Sequence, residues 1–316
     1  MRSAKIISLA MAVFMLTATA AQAQKKTKKA AATKEIPITV IVMADNPHGG
    51  QDEALNAGLQ NFFGTPLKIT TVNREDALKD PKYKGLNLDY MPLYLIKRTP
   101  AVEEKFGQHI KNGMPATEEF VIFEKQTRHG VHAGRPRKPN VLEIFVMSQC
   151  PFGAMAEARV IDAKKLGRLP NDVQIDIKYI VGPGRGDEPF SSLHGTAEWE
   201  ENVRQEIIKD KYPNKFWKYL EIRNKNYKST LWDVAAEQAG INPKVFRKYW
   251  NRGVELLKQD MEYTQQLGIG ASPTFLWEGQ TTLDLNSVWQ IKGLEGLAPS
   301  GQPASPAAAQ APAGAC

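Results

Sequence analysis

The chain has 316 residues, with 41 Lys and Arg against 34 Asp and Glu, for a formal net charge of +7. All of that excess sits in Arg2, Lys5, Lys25, Lys26, Lys28, Lys29 and Lys34, a stretch without acids, so residues 35–316 balance to zero. A body with no basic bias argues against nucleic acid as a partner, and a total of two cysteines excludes a disulfide-scaffold protein.

In chain order, Arg2 and Lys5 precede an apolar run, Ile6–Leu16, too short to span a bilayer, and then the small-residue site Ala21-Gln22-Ala23. This pattern predicts a signal peptide over 1–23 and a periplasmic or secreted protein with no transmembrane segment after signal removal. Residues 24–35 read as a basic disordered arm. The first ordered elements are a β-rich run, Ile38–Met43, the turn Asn46-Pro47-His48-Gly49, a helix over Gln51–Phe62, a strand over Leu67–Val72, and a Pro-led strand, Met91-Pro92-Leu93-Tyr94. The Pro- and charge-rich run Arg135–Asn140 marks the expected domain boundary.

The same order then recurs at an offset of 104 residues, counted from Asn46 to Cys150. A strand over Leu142–Met147 meets Cys150-Pro151-Phe152-Gly153, followed by a helix over Ala154–Leu166, a strand over Val173–Val181, and a Pro-led strand at Ser272-Pro273-Thr274. Between the last two, Thr196–Asp210, Phe216–Asn224, Leu231–Ala239 and Pro243–Leu267 carry apolar faces at helical spacing, so a helical insert is expected over about 185–267. The Ala/Pro-rich tail, 298–316, has no apolar periodicity and reads as disordered. The expected domains are therefore 36–134 and 141–297, each an α/β unit.

A strand that delivers a cysteine to a helix N-terminus favours thiolate chemistry, because backbone N–H groups and the helix dipole stabilise the anion. This predicts a solvent-reachable nucleophile at Cys150. In the first copy Asn46 stands where the sulfur would be, leaving His48 as a surface turn residue.

These residues resemble the thioredoxin-like superfamily, in which a cysteine before Pro faces a cis Pro at the start of a strand. The resemblance implies two tandem thioredoxin-like domains, the first degenerate, with Cys150 and Pro273 at the catalytic centre, Pro151, Phe152 and Gly153 in the active-site turn, and Ser272 and Thr274 supporting it. A helical insert at this place is similar to that of the periplasmic disulfide-bond oxidoreductases. Within it, Ser192-Leu193-His194-Gly195, then Glu198, Trp199 and Asn202, resembles the signature of the gamma-interferon-inducible lysosomal thiol reductase family. His194, Gly195, Glu198 and Asn202 fall in register, while Ser192, Trp199 and Ile207 replace its cysteines.

Gly153 occupies the second position of the family's Cys-x-x-Cys pair, so Cys150 lacks a neighbour to release it from a mixed disulfide. Two readings follow. One is an exported monothiol protein exchanging disulfides with exported proteins or small thiols. The other is a redox-inactive peptide-binding, chaperone or scaffold protein. Cys316 is a candidate resolving thiol, reaching Cys150 on a flexible tail, or a crosslink in a Cys316-linked dimer. No metal or other cofactor is expected, since His194 and Glu198 find no third ligand at convincing spacing.

Overall fold

The computed structural model describes residues 35–123 and 129–299. The expected signal peptide, nearly all of the expected basic arm, and Cys316 with most of its tail lie outside the described residues.

Strand β1 (Ile36–Val42) alternates buried Ile36, Ile38 and Val40 with half-exposed neighbours, then buries Ile41 and Val42 as well. It runs parallel to β2 (Leu67–Asn73) through helix α1 (Glu53–Phe63). Asp52 caps α1 by accepting the Leu55 N–H at 2.9 Å, and Gly64, with φ of 65°, ends it in the left-handed conformation. After the single turn α2 (Arg74–Ala77) come β3 (Tyr90–Met91) and β4 (Leu93–Lys97), on either side of a cis Met91–Pro92 peptide. Helix α3 (Pro100–Lys111) then separates β4 from β5 (Phe120–Phe123). The sheet order is β2-β1-β4-β5, with β4 antiparallel to both β1 and β5.

Strand β6 (Gly130–His132) precedes β7 (Val141–Val146), helix α4 (Pro151–Lys165) and β8 (Gln174–Tyr179), which is parallel to β7. A small ribbon, β9 (Gly182–Pro183) with β10 (Phe190–Ser191), leads into the insert. The insert is helical as expected: α5 (Thr196–Lys211), α6 (Pro213–Asn224), α7 (Trp232–Gln238) and α8 (Lys244–Leu267). Strands β11 (Thr274–Trp277) and β12 (Thr281–Leu283) close the half as an antiparallel pair, with β11 beside β7.

The mixed α/β architecture matches a thioredoxin-like fold: in both halves a parallel strand–helix–strand unit is joined, on the first strand's free side, by an antiparallel strand that follows a cis proline. Two features escape the sequence pattern. Helix α3 interrupts the strand pair of the first half, although Thr99 at its cap and Pro100 at its first position mark it. The second sheet also runs on into the first half, in the order β3-β6-β12-β11-β7-β8. The run at 135–140 therefore does not divide the sheets. It is pinned to the second one, where the Arg135 guanidinium donates to the Gly279 carbonyl (3.0 Å) and the Tyr263 hydroxyl (2.9 Å).

Each sheet still has its own core. Val40, Tyr94, Val102 and Phe106 pack on one face of the first, and Ile41, Met91, Leu93 and Leu95 on the other. In the second, the insert helices cover Leu142, Ile144 and Val146, while Phe145, Met147, Cys150, Ile180, Leu267 and Leu276 cluster on the opposite face. The aromatic set of the insert is mainly core, with Trp199, Phe216, Tyr219 and Phe246 buried. Among the described residues no helix is long and apolar enough to cross a membrane.

Candidate functional site

Cys150 is the N-cap of α4, with Pro151 at the first helical position. Its N–H donates to the Met147 carbonyl at 3.0 Å, closing a turn that sets the cysteine over the helix N-terminus. Pro273 follows a cis peptide from Ser272, and the Ser272 carbonyl oxygen lies 3.5 Å from Cys150 Sγ. The buried Ser272 hydroxyl accepts the Met147 N–H at 2.9 Å, so the cis-proline loop is fastened to the strand that carries the cysteine. Thr274 turns back locally, donating from its hydroxyl to the Ala271 carbonyl at 2.7 Å.

Cys150 is disulfide-bonded in this structure, and in that state its exposure is 0% and it clusters with Phe145, Met147, Ile180, Leu267 and Leu276. The solvent-reachable thiol expected from sequence is therefore not what this state presents. The sequence contains one other cysteine, Cys316, which lies outside the described residues.

The insert signature docks onto the cysteine turn. Glu198 is fully buried, and its carboxylate accepts the Gln149 N–H at 2.9 Å, one residue before Cys150. The same carboxylate accepts the His194 N–H at 3.2 Å and holds His194 Nδ1 at 2.8 Å. Ser148 adds a bond from its hydroxyl to the Glu198 carbonyl at 3.3 Å. Gly195 has a φ of 91°, open to glycine, and this bends the chain so that His194 turns back onto the first turn of α5. His194 and Glu198 are thus more than a pair on one helix face: they tie the insert to the cysteine turn. Asn202, a turn further along, is buried with neither amide atom hydrogen-bonded, as is the Ser192 hydroxyl. In the first half, Asn46 occupies the place of Cys150 and caps a short turn by accepting the His48 N–H at 2.9 Å. His48 is half-buried there, edge-on to His129 with ring centroids 5.8 Å apart, and not simply a surface residue.

Gly153 has little space around it. A Cβ at this position would meet Ser272 Oγ at 2.8 Å, the Met147 carbonyl oxygen at 3.0 Å and Val146 Cβ at 3.4 Å. The place of a second cysteine is filled by the cis-proline loop and the end of β7.

Beneath α4 lies a buried acid cluster that sequence reading missed. Burial pushes the Glu157 carboxyl from 4.5 up to about 7, with the Asn224 amide opposing and the nearby Glu201 charge adding to the rise. Glu157 Oε2 accepts from Asn224 Nδ2 at 2.7 Å, while Oε1 has no partner. Glu201 accepts from the Tyr219 hydroxyl (2.9 Å), Gln205 Nε2 (2.9 Å) and Arg223 Nε (3.0 Å). Burial likewise lifts Glu206 to about 8, against the pull of Lys209 and with help from Asp260. A carboxyl whose folded pKa is raised stabilises the fold fully below its unfolded pKa, and that contribution is lost as pH rises through the folded value. Stability should therefore fall between about pH 4.5 and 8. Glu157→Gln should raise the melting temperature at pH 8, by up to about 3 kcal/mol in stability, and leave a shallower fall from Glu206. Thermal melts of both proteins across this range check it, and an unchanged pH profile in the variant would refute it. Among the described residues no group of three or more His, Cys, Asp or Glu is placed to hold a metal.

No protein-family model matches the chain, and no curated protein does. Among solved structures, it is similar to ScsC from Proteus mirabilis in a compact conformation, at 16% identity and a TM-score of 0.35 over 43% of this chain and 69% of that one. It is also similar to the DsbA disulfide interchange protein from Klebsiella pneumoniae, at 16% identity and a TM-score of 0.36, covering 55% of this chain and 92% of the other. MdbA, a thiol-disulfide oxidoreductase from Actinomyces oris, matches at 15% identity and a TM-score of 0.34, over 47% and 74% of the two chains. The thioredoxin-like character of this chain rests on its own strand order, its helix-capping cysteine and its cis prolines.

Proposed function

We propose that this is an exported, periplasmic or secreted protein of two tandem thioredoxin-like domains that exchanges disulfides with exported proteins or small thiols through Cys150. The observation that carries the reading is a disulfide-bonded Cys150 at the N-cap of α4, 3.5 Å from the carbonyl that precedes a cis proline. Cys316 completes the cycle. The Cys150 thiolate attacks a partner disulfide, forming a mixed disulfide and releasing one partner thiolate. The Cys316 thiolate then attacks Cys150 Sγ, expels the second partner thiolate and leaves a Cys150–Cys316 disulfide. The partner gains two electrons and the protein loses two. The reverse sequence oxidises a partner dithiol.

In this scheme Cys316 takes the task that Gly153 cannot perform. Nineteen residues run from Ala298 to Cys316, and a coil of that length reaches roughly 24 Å. A tethered thiol of this kind acts at an effective concentration approaching the millimolar range. Reduced protein mixed with glutathione disulfide should pass through a transient Cys150–glutathione adduct. With Cys316→Ser that adduct should persist at least about tenfold longer. Mass spectrometry of acid-quenched samples reads both. Equal adduct lifetimes would exclude the resolving role, and a Cys316–Cys316 dimer as the main product would assign that cysteine to crosslinking.

The redox-inactive binding reading is favoured by the complete burial of Cys150. Glutathione separates the two readings, because a binding scaffold would leave Cys150 unmodified.

A further inference from the structure

The insert segregates charge. From Lys211 to Arg252 it carries ten Lys and Arg against three Asp and Glu, in a body whose residues 35–316 balance to zero. One of the ten, Arg223, is buried against Glu201 at 3.0 Å. Most of the others are exposed.

Their arrangement gives the charge a face. Lys244, Lys248 and Arg252 recur every fourth residue along the first turns of α8, so they form one stripe. Lys211, at the end of α5, joins it: Lys211 and Lys248 place their ammonium groups 5.2 and 5.0 Å from the Tyr249 ring. Lys215, at the start of α6, sits 5.6 Å from the Tyr212 ring. Two acids touch this group: Asp210 contacts Lys211 at 2.9 Å and Arg252 at 3.6 Å, drawing the two helices' cations together, and Glu255 lies 3.5 Å from Arg252 at the stripe's far end. The result is a corner of three helix ends with four exposed cations, Lys211, Lys244, Lys248 and Arg252, a half-buried Lys215 that donates to the Gly240 carbonyl, and two half-buried tyrosines.

We propose that this corner docks onto an anionic phospholipid surface. Long basic side chains lying over aromatic rings put charge at headgroup level and apolar stems below it, the layering that a bilayer interface presents. Clustered Lys and Arg then gain from the surface potential of anionic lipids, each adding to the attraction within a Debye length. The fold also orients the active end. Leu267, the last residue of α8, packs in the Cys150 cluster. At 1.5 Å per residue, Lys248 lies roughly 28 Å from it along the helix, so a docked protein holds its sulfur chemistry away from the membrane. The inference stands apart from the redox reading, since it uses no property of Cys150.

The test is co-sedimentation of the full chain with vesicles of phosphatidylglycerol and phosphatidylcholine, or of phosphatidylcholine alone, at low and high salt. Binding is expected to the anionic vesicles only and to weaken with salt. Lys244→Glu, Lys248→Glu and Arg252→Glu together should lower partitioning by at least about tenfold. An equal charge change on the first half, Lys68→Glu, Lys84→Glu and Lys111→Glu, should lower it by less than about threefold. The control matters because the basic arm is present in every sample. Should the triple reversal fail to fold, the Lys244→Gln, Lys248→Gln, Arg252→Gln protein still separates stripe from control. Equal losses in both triples, no binding to anionic vesicles, or tighter binding to duplex DNA than to vesicles in the same buffer would each overturn the proposal.

Discussion

Replacing Glu198 with Ala should loosen the cysteine turn more than any other single change outside Cys150. The carboxylate is fully buried and accepts the Gln149 N–H at 2.9 Å, the His194 N–H at 3.2 Å and a contact from His194 Nδ1 at 2.8 Å. Removing it leaves the buried Gln149 N–H and the part-buried His194 N–H without an acceptor; at about 1–3 kcal/mol for a fully buried donor and less for a part-buried one, a loss on the order of 2–3 kcal/mol is expected. The effect on chemistry should exceed the effect on folding, because Gln149 directly precedes Cys150. Glu198→Gln keeps the shape and one oxygen for the Gln149 N–H, and should recover most of the stability. Urea unfolding, with Cys150 alkylation rates on reduced samples, reads the two separately. Alkylation of the Ala variant at the wild-type rate, with stability within about 0.5 kcal/mol, would show that Glu198 does not hold the turn.

The second large effect is Gly153→Cys. From sequence, this change restores Cys-Pro-Phe-Cys and with it a dithiol reductase. The structure predicts the opposite. The new Cβ would meet Ser272 Oγ at 2.8 Å and the Met147 carbonyl oxygen at 3.0 Å, and neither belongs to a long side chain that can swing away. Overpacking of this kind costs about 1–3 kcal/mol, and the relief available is displacement of the loop that carries Pro273. The variant should melt at lower temperature and show no gain in insulin reduction. Gly153→Ala should destabilise similarly, since the clash begins at Cβ. Ser272→Ala added to Gly153→Cys should relieve it in part, because the Met147 oxygen remains. A Gly153→Cys protein as stable as wild type and active in insulin reduction would overturn this reading of the turn.

These cases show what sequence can carry. Alternation in β1, the strand-to-turn-to-helix order around Cys150, and both Pro-led strands are local, and local patterns place them within a few residues of their observed bounds. The helical insert was legible because four apolar faces recur at helical spacing. Strands β3 and β6, with two and three residues, are too short to show any period. Their placement in the second sheet depends on pairing Tyr90 with His132 and Thr281 with Val131 across long separations. The site divides in the same way. Residue type and spacing singled out Cys150, and the family resemblances added Pro273, His194 and Glu198. The Glu198–Gln149 bond, 49 residues apart, does not follow from spacing along α5. Gly153 reads as an absent cysteine in one dimension and as a packing requirement in three. Burial of Cys150 likewise depends on Leu267 and Leu276, which arrive from the far side of the insert.

Whether Cys150 is a redox centre is decided by equilibrating the protein across a series of glutathione buffers. Acid quenching, alkylation and peptide mass spectrometry then give the state of each cysteine. One two-electron transition is expected, in which Cys150 and Cys316 pass together from two thiols to one disulfide, and in a Cys316→Ser protein Cys150 should become glutathionylated instead. A Cys150 that stays unmodified through the whole series, in protein shown to be folded, would contradict it.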